Sequence, residues 1–275
     1  MKLFLLTVLA MVAFAANSVL NRFALAEGAI GPSGFAVIRL LSGALALWLM
    51  VSLRNRAVAL PSRSATGAIS LALYVLGFSF AYVSLPAGPG ALVLFGGVQM
   101  TMFAGALIKG EHVPPARWAG ALVAFAGLAY LLWPSEGQSL SMVGAILMGA
   151  AAIGWGIYSL YGRGVKDPLA ATAGNFVWAL PFGALIYVLY PDQLPVTISG
   201  VVFAVVSGVV TSGLGYALWY SVLPRLEASV AAVSQLTVPI IATVGGAALL
   251  GEAVSLELVI ASILVLGGVA LSLKR

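Results

Sequence analysis

The chain has 275 residues, of which 62% are apolar and 8% charged, with a net charge of +5 and no cysteine. An ordinary soluble domain carries ~25% charged side chains; with so few here, and a mean hydropathy of +1.11, a soluble enzyme, a disordered chain and a nucleic-acid binder are excluded. The missing cysteines exclude disulfides, thiol catalysis and Cys-based zinc or iron–sulfur sites.

A helix crossing ~30 Å of hydrocarbon needs about 20 residues. Cuts at charges, Pro/Gly clusters and polar breaks give ten apolar segments: 3–26, 32–53, 66–85, 89–108, 115–133, 140–161, 169–190, 198–221, 228–250 and 255–273. They are too long and too continuously apolar for the alternation of a β-barrel. The expected fold is an all-α integral membrane protein of ten transmembrane helices. The first segment imitates a secretion leader, with Ala13-Phe14-Ala15 resembling a cleavage site. Counterparts of Ser18 and Arg22 far downstream read it instead as the first span.

In chain order, span one places Asn17 deep and Asn21 one turn later, and span two carries Arg39 about seven residues in, ~10 Å along the axis. Span three repeats Tyr74, Phe78 and Tyr82 every fourth residue, which is one helical face. Gln99 lies mid-span in the fourth; Trp118 and Trp133, at the ends of the fifth, read as interfacial-belt residues. Span six carries Trp155, Tyr158 and Ser159, and span seven Trp178, expected well inside, and Pro181. Span eight sets Ser212, Tyr216 and Tyr220 on one face with Trp219 beside them, among small residues (Ser207-Gly208, Gly213, Gly215) that let helices approach. Span nine has Ser234-Gln235 and Pro239; Pro181 and Pro239 are expected to kink their helices.

Loop charges orient the chain. With both termini cytoplasmic, the inner side receives Lys2, Arg54, Arg56, Arg63, Lys109, Arg117, Arg163, Lys166, Arg225, Lys274 and Arg275, and only Arg22 and Arg39 fall elsewhere. This is the positive-inside pattern, so the basicity faces anionic headgroups. The implied location is the cell (inner) membrane.

A shift of 141 residues aligns Phe14 with Trp155, Ser18 with Ser159, Arg22 with Arg163 and Gly110-Glu111 with Gly251-Glu252. A shift of 138 aligns Gly77, Tyr82, Leu85 and Pro86 with Gly215, Tyr220, Leu223 and Pro224. Two halves follow, 1–135 and 138–275, of five spans each. Five is odd, so the second half enters the membrane inverted, the architecture of alternating-access transporters with a midplane site between the repeats.

Several features together resemble the drug/metabolite transporter superfamily, in particular its EamA-type family, over the whole chain. They are the aromatic-small pairs Phe14-Ala15 and Trp155-Gly156, Arg39 in the second span, and Gly110-Glu111 and Gly251-Glu252 closing the fourth span of each half. Within it the chain is similar to the YddG-like amino-acid exporters. One departure is that Pro239, thirteen residues before Glu252, has Val98 as its counterpart in the first half. The resemblance implies export of small metabolites, amino acids first and aromatic or apolar ones favoured, and a structural role for Arg39. An organic-cation exporter of the same fold, and after it a channel, are the alternatives.

Buried polar groups in such bundles face cavities or glue helices together. On this basis the substrate-binding candidates are Asn17, Tyr74, Phe78, Tyr82, Gln99, Trp155, Tyr158, Tyr216 and Gln235. Aromatic walls suit apolar or cationic cargo portions, and the amides suit a zwitterion. Packing and interhelical hydrogen bonding are the competing reading of the same residues. Glu111 and Glu252 are expected to cap or pair locally. No catalytic residue, metal site or cofactor is expected: His112 is alone, and there is no P-loop or dinucleotide fingerprint. The expected partners are a small-molecule substrate and the lipid bilayer.

Overall fold

A computed structural model describes residues 2–56, 64–108, 114–133, 140–162, 164–226 and 234–272. Lys109, Glu111, His112, Glu136, Arg163, Glu227 and residues 228–233 of the ninth expected span lie outside the described residues. Among the described residues the structure is all-helical, with ten helices: α1 (Lys2–Ala26), α2 (Pro32–Asn55), α3 (Ala65–Ala81), α4 (Ala87–Ile108), α5 (Pro115–Leu132), α6 (Met142–Gly162), α7 (Pro168–Leu189), α8 (Ile198–Arg225), α9 (Thr237–Leu250) and α10 (Leu256–Ser272). Each matches one expected segment to within a few residues, except that the described part of α9 begins nearly ten residues later. Seven are long and apolar enough to cross a membrane, and α3, α9 and α10 are shorter apolar helices.

The outer surface is apolar. Leu41, Leu45 and Leu49 of α2, Leu122 and Phe125 of α5, and Ile146 and Ile153 of α6 stand exposed at helical spacing. Asn17, Asn21, Arg39, Ser207 and Ser212 are buried inside. Exposed apolar stripes on this scale have no place in water, and this distribution is that of a multi-pass membrane protein.

Neighbouring directions follow from the contacts. Asn17 and Asn21 of α1 meet Thr211 and Ser207 of α8, so these helices run antiparallel. In α3 and α6, Gly77 abuts Leu147 and Ala151 while Gly154 abuts Ser70 and Tyr74, again antiparallel. The pairs α4–α6 and α1–α9 pack together, as do α3–α7 and α2–α8, α2–α3 and α7–α8, and the pairs α2–α7, α4–α9 and α5–α10. Between α5 and α10, Gly268 abuts Gly120 and Ala124 while Gly127 abuts Leu264 and Val265, so this pair is antiparallel too.

Helices α2 and α7 are pinned at both ends. The Asp192 carboxylate, after α7, accepts hydrogen bonds from the Ser33 (3.1 Å) and Gly34 (2.6 Å) backbone N–H groups at the start of α2. It satisfies donors that a helix N-terminus leaves open and complements the helix dipole. At the other end Arg54 grips Asp167 with both terminal nitrogens, Nη1 to Oδ1 at 3.0 Å and Nη2 to Oδ2. Asp167 also caps α7 through Ala170 N–H, and the Arg54 guanidinium holds its carboxyl below the ordinary carboxylate range.

Helix α8 is interrupted: it is α-helical over Ile198–Val206, widens into a π-helical stretch over Ser207–Leu214, and returns to α over Gly215–Val222 before a 3₁₀ turn at Leu223–Arg225. Hydropathy contains no sign of this. A π stretch of such length is unusual, and π turns concentrate at functional sites. Here it presents Ser207, Thr211 and Ser212 to the interior, and the α turn that follows adds Tyr216.

Candidate functional site

Arg39 lies at the centre. Its helix carries it inward beside the wide turn of α8, and it is fully buried. Its Nε donates to Ser212 Oγ (2.9 Å), and its Nη2 to the hydroxyls of Tyr216 (2.8 Å) and Tyr74 (3.3 Å). The guanidinium carbon sits 5.3 Å from the Tyr74 ring centroid and 5.1 Å from that of Phe78, within cation–π range. Tyr216 in turn donates to Tyr74 Oη at 3.1 Å.

Asn17 joins this network from α1. Its Nδ2 donates to Tyr74 Oη (3.3 Å), and its Oδ1 accepts from Ser207 Oγ (2.7 Å) and Thr211 Oγ1 (2.9 Å). Asn21, one turn on, donates to Ser207 Oγ at 3.2 Å. An aromatic cluster wraps the network. Trp155 lies 4.9 Å from Tyr74, 4.7 Å from Tyr216 and 5.6 Å from Tyr158 between ring centroids. The Phe78 ring bridges Tyr74 (5.2 Å) and Tyr82 (4.6 Å).

Seven of the nine candidate residues are therefore linked: Asn17, Tyr74, Phe78, Tyr82, Trp155, Tyr158 and Tyr216. Gln99 sits on α4 at the level of Trp155, since Gly97 abuts Ala152 and Thr101 abuts Gly156; its Nε2 has no partner among the described residues. Gln235 is buried just before α9, and its neighbour Leu236 packs with Ala124 of α5 and Val269 of α10, at the periphery.

Other expectations need correcting. Trp178 does lie mid-helix in α7, but on its outer face, 37% exposed, because depth along a helix says nothing about the face a residue occupies. Glu252 does not pair locally: its Oε1 accepts from Arg22 Nε at 3.0 Å and its Oε2 from Ala87 N–H at 2.7 Å. Arg22 Nη1 also donates to the carbonyls of Tyr82 (3.1 Å) and Val83 (3.0 Å). Gly251, at φ +64°, ends α9 in the left-handed region that favours glycine, turning the chain so that Glu252 reaches across. This one cluster ties together α1, the α3–α4 turn and the α9–α10 link.

Sequence reasoning gave Phe14 no place among the candidates, although it is a hub: its ring lies 5.6 Å from Trp155, 5.8 Å from Tyr216 and 6.0 Å from Trp219. The signal was present, because Phe14 is the counterpart of Trp155 at the 141-residue shift. Asn175, whose Nδ2 reaches Tyr158 Oη at 3.5 Å, left no comparable mark. Trp118 and Trp133, by contrast, stand exposed at helix ends as expected.

The arrangement offers neutral donors and acceptors, one buried cation and an aromatic enclosure. Among the described residues no cluster of His, Asp or Glu could hold a metal. Groups of these kinds can hydrogen-bond the polar end of a small solute and pack against an apolar part.

Known proteins bear on this chain in two ways. The model of the EamA-like transporter family matches residues 142–274. An uncharacterized protein of Pseudomonas aeruginosa is 47% identical over 270 residues, covering 98% of this chain and 93% of its own. At 27% identity, a "probable amino-acid metabolite efflux pump" of Salmonella typhimurium aligns over 73% of this chain and 72% of its own. The "aromatic amino acid exporter YddG" of Ancylobacter novellus is also 27% identical, over 72% of each chain.

Proposed function

This chain belongs to the EamA-like transporter family, and from that premise we propose that it exports amino acids, aromatic or apolar ones foremost, by alternating access. The observation that carries the reading is the polar network of Asn17, Arg39, Tyr74 and Tyr216 inside an aromatic cluster, built jointly by α1, α2, α3, α6 and α8. The descriptions of the Salmonella and Ancylobacter relatives favour amino acids as cargo.

The moving parts are two inverted halves, residues 1–135 and 138–275. Supporting this, adding five to each helix number of one half and subtracting five in the other maps α3–α6 onto α1–α8, α4–α6 onto α1–α9, and α3–α7 onto α2–α8. The equivalent helices α2 and α7 run antiparallel, as do α5 and α10. In this reading the termini are cytoplasmic and the chain lies in the inner membrane, so the Arg22–Glu252 cluster closes the outer face. The Arg54–Asp167 pair lies on the inner face. In this reading the close ring packing of the aromatic cluster is what separates the two faces.

Uptake of radiolabelled amino acids into liposomes carrying the full chain tests the function. Saturable uptake of at least one apolar or aromatic amino acid is expected. Uptake of cationic dyes with none of any amino acid would reverse the reading in favour of an organic-cation exporter. For topology, Gly137→Cys should react with an impermeant reagent from outside; reaction from the cytoplasm alone would overturn the orientation.

A further inference from the structure

We propose that Arg39 is the carboxylate-binding residue of this network, and that the cargo is therefore restricted to solutes carrying a carboxylate; this rests on the amino-acid reading above and sharpens it. A guanidinium is always charged. Placed wholly inside a membrane bundle it is costly unless compensated, and intramembrane ionisable residues of this kind mark substrate and ion paths. Among the described residues the partners of Arg39 are all neutral: one serine and two tyrosine hydroxyls, with two aromatic rings against its face. The two ion pairs among the described residues, Arg22–Glu252 and Arg54–Asp167, lie at helix ends and leave Arg39 outside them. The buried charge is thus solvated by dipoles and not neutralised.

Two donors around it are also unspent. Nη1 of Arg39 and Nε1 of Trp155 are both buried and without a hydrogen-bond partner among the described residues. The Trp155 ring lies against Tyr74 and Tyr216, the two residues whose hydroxyls receive the other Nη of Arg39. Unpartnered donors in a network around an uncompensated cation fit an anion: Nη1 is the free nitrogen of the guanidinium and can give a carboxylate a charge-assisted hydrogen bond, and the full two-oxygen fork forms when the carboxylate displaces the tyrosine hydroxyls from Nη2. An ammonium alone would meet a like charge in a low-dielectric site. A zwitterion brings its own counter-charge: its carboxylate faces Arg39, while its ammonium can use Asn21 Oδ1, a buried acceptor of the same network that also lacks a partner among the described residues.

The test is a matched panel on the full chain in liposomes: radiolabelled L-phenylalanine, its amide, and phenethylamine, which lacks the carboxylate. Losing a hydrogen bond to a charged group costs about a ten- to hundredfold loss of affinity. The native chain should therefore take up phenylalanine with at least tenfold higher apparent affinity than the amide or the amine. Arg39→Gln should abolish that preference, whereas Arg39→Lys, which keeps the charge without the fork, should keep part of it. If the native chain transports phenylalanine, its amide and the amine equally well, the inference is overturned while the amino-acid export reading stands. Uptake of the amine with none of any amino acid would overturn both. The native-chain panel decides the matter even if Arg39→Gln does not fold.

Discussion

Glu252→Gln is the sharpest probe of how this bundle closes. The carboxylate accepts from Arg22 through one oxygen and from the Ala87 backbone through the other, and Arg22 adds the two carbonyls at the end of α3. The Arg22 and Glu252 side chains are only 19% and 15% exposed, so solvent screens the pair weakly. The amide keeps the shape and one acceptor, hence one of the two bonds, and removes the charge. Hydrogen bonds to charged groups contribute ~1.5–3 kcal/mol each, and some of this survives in the amide. A net loss of about 1–2 kcal/mol from the closed form is expected, a shift of about 5- to 30-fold in favour of conformations open on that face. With no native cysteine, Ser79→Cys supplies a silent reporter: it is fully buried in α3, about one turn before Tyr82, whose carbonyl accepts from Arg22. Its reaction with an impermeant maleimide applied outside should quicken by about that factor when Glu252→Gln is added. An unchanged rate, with the protein equally abundant, would show that the pair does not hold this face shut.

Three further outcomes are expected. Gly154→Ala should lower the melting temperature in detergent by the equivalent of ~1–3 kcal/mol, since a Cβ there would meet the Ser70 and Tyr74 backbone at 2.7 Å; Gly149→Ala, facing open space, should change little. Trp155→Ala should weaken amino-acid transport about ten- to hundredfold with the protein still abundant, while Trp133→Ala, exposed at a helix end, should leave apparent affinity nearly unchanged; the reverse result would displace the chamber. Asp167→Asn should cost no more than ~1 kcal/mol near neutral pH, because the Arg54 pair is nearly half exposed. As the folded Asp167 carboxyl is held below its ordinary range, that contribution is full above the ordinary range and fades as pH falls through the lowered value. Melting curves of native chain and variant should therefore converge in strong acid.

Helix positions were legible in the sequence because apolar length is what the bilayer demands of each segment. The face shared by Tyr74, Phe78 and Tyr82 was legible for the same kind of reason, since helical period alone puts them together. What stayed hidden depends on register between segments far apart. The partners of Arg39 lie 35 to 177 residues away, and Glu252 finds Arg22 across 230. No local pattern encodes either meeting, so a local pairing was the natural expectation for Glu252. The π stretch of α8 escaped too, because Ser207–Leu214 has the small-residue composition of any close helix contact and only the backbone shows the extra width.

The internal shift, by contrast, contained more than it was asked for. If the halves are related by a two-fold axis in the membrane plane, residues that pair under the shift and lie near that axis must face each other. Phe14 and Trp155 do so, with centroids 5.6 Å apart. Their meeting places the axis through the aromatic cluster, next to Tyr216 and Tyr74. A site on such an axis is reached equally from either side when the halves exchange conformations, which an exporter requires. Arg39 breaks the symmetry, because the same 138- or 141-residue shift brings it to Val177 or Leu180 of α7. On the proposal that Arg39 binds the cargo carboxylate, a solute there would meet its charge from the first half alone, and the site would hold it in one orientation while both faces took turns opening.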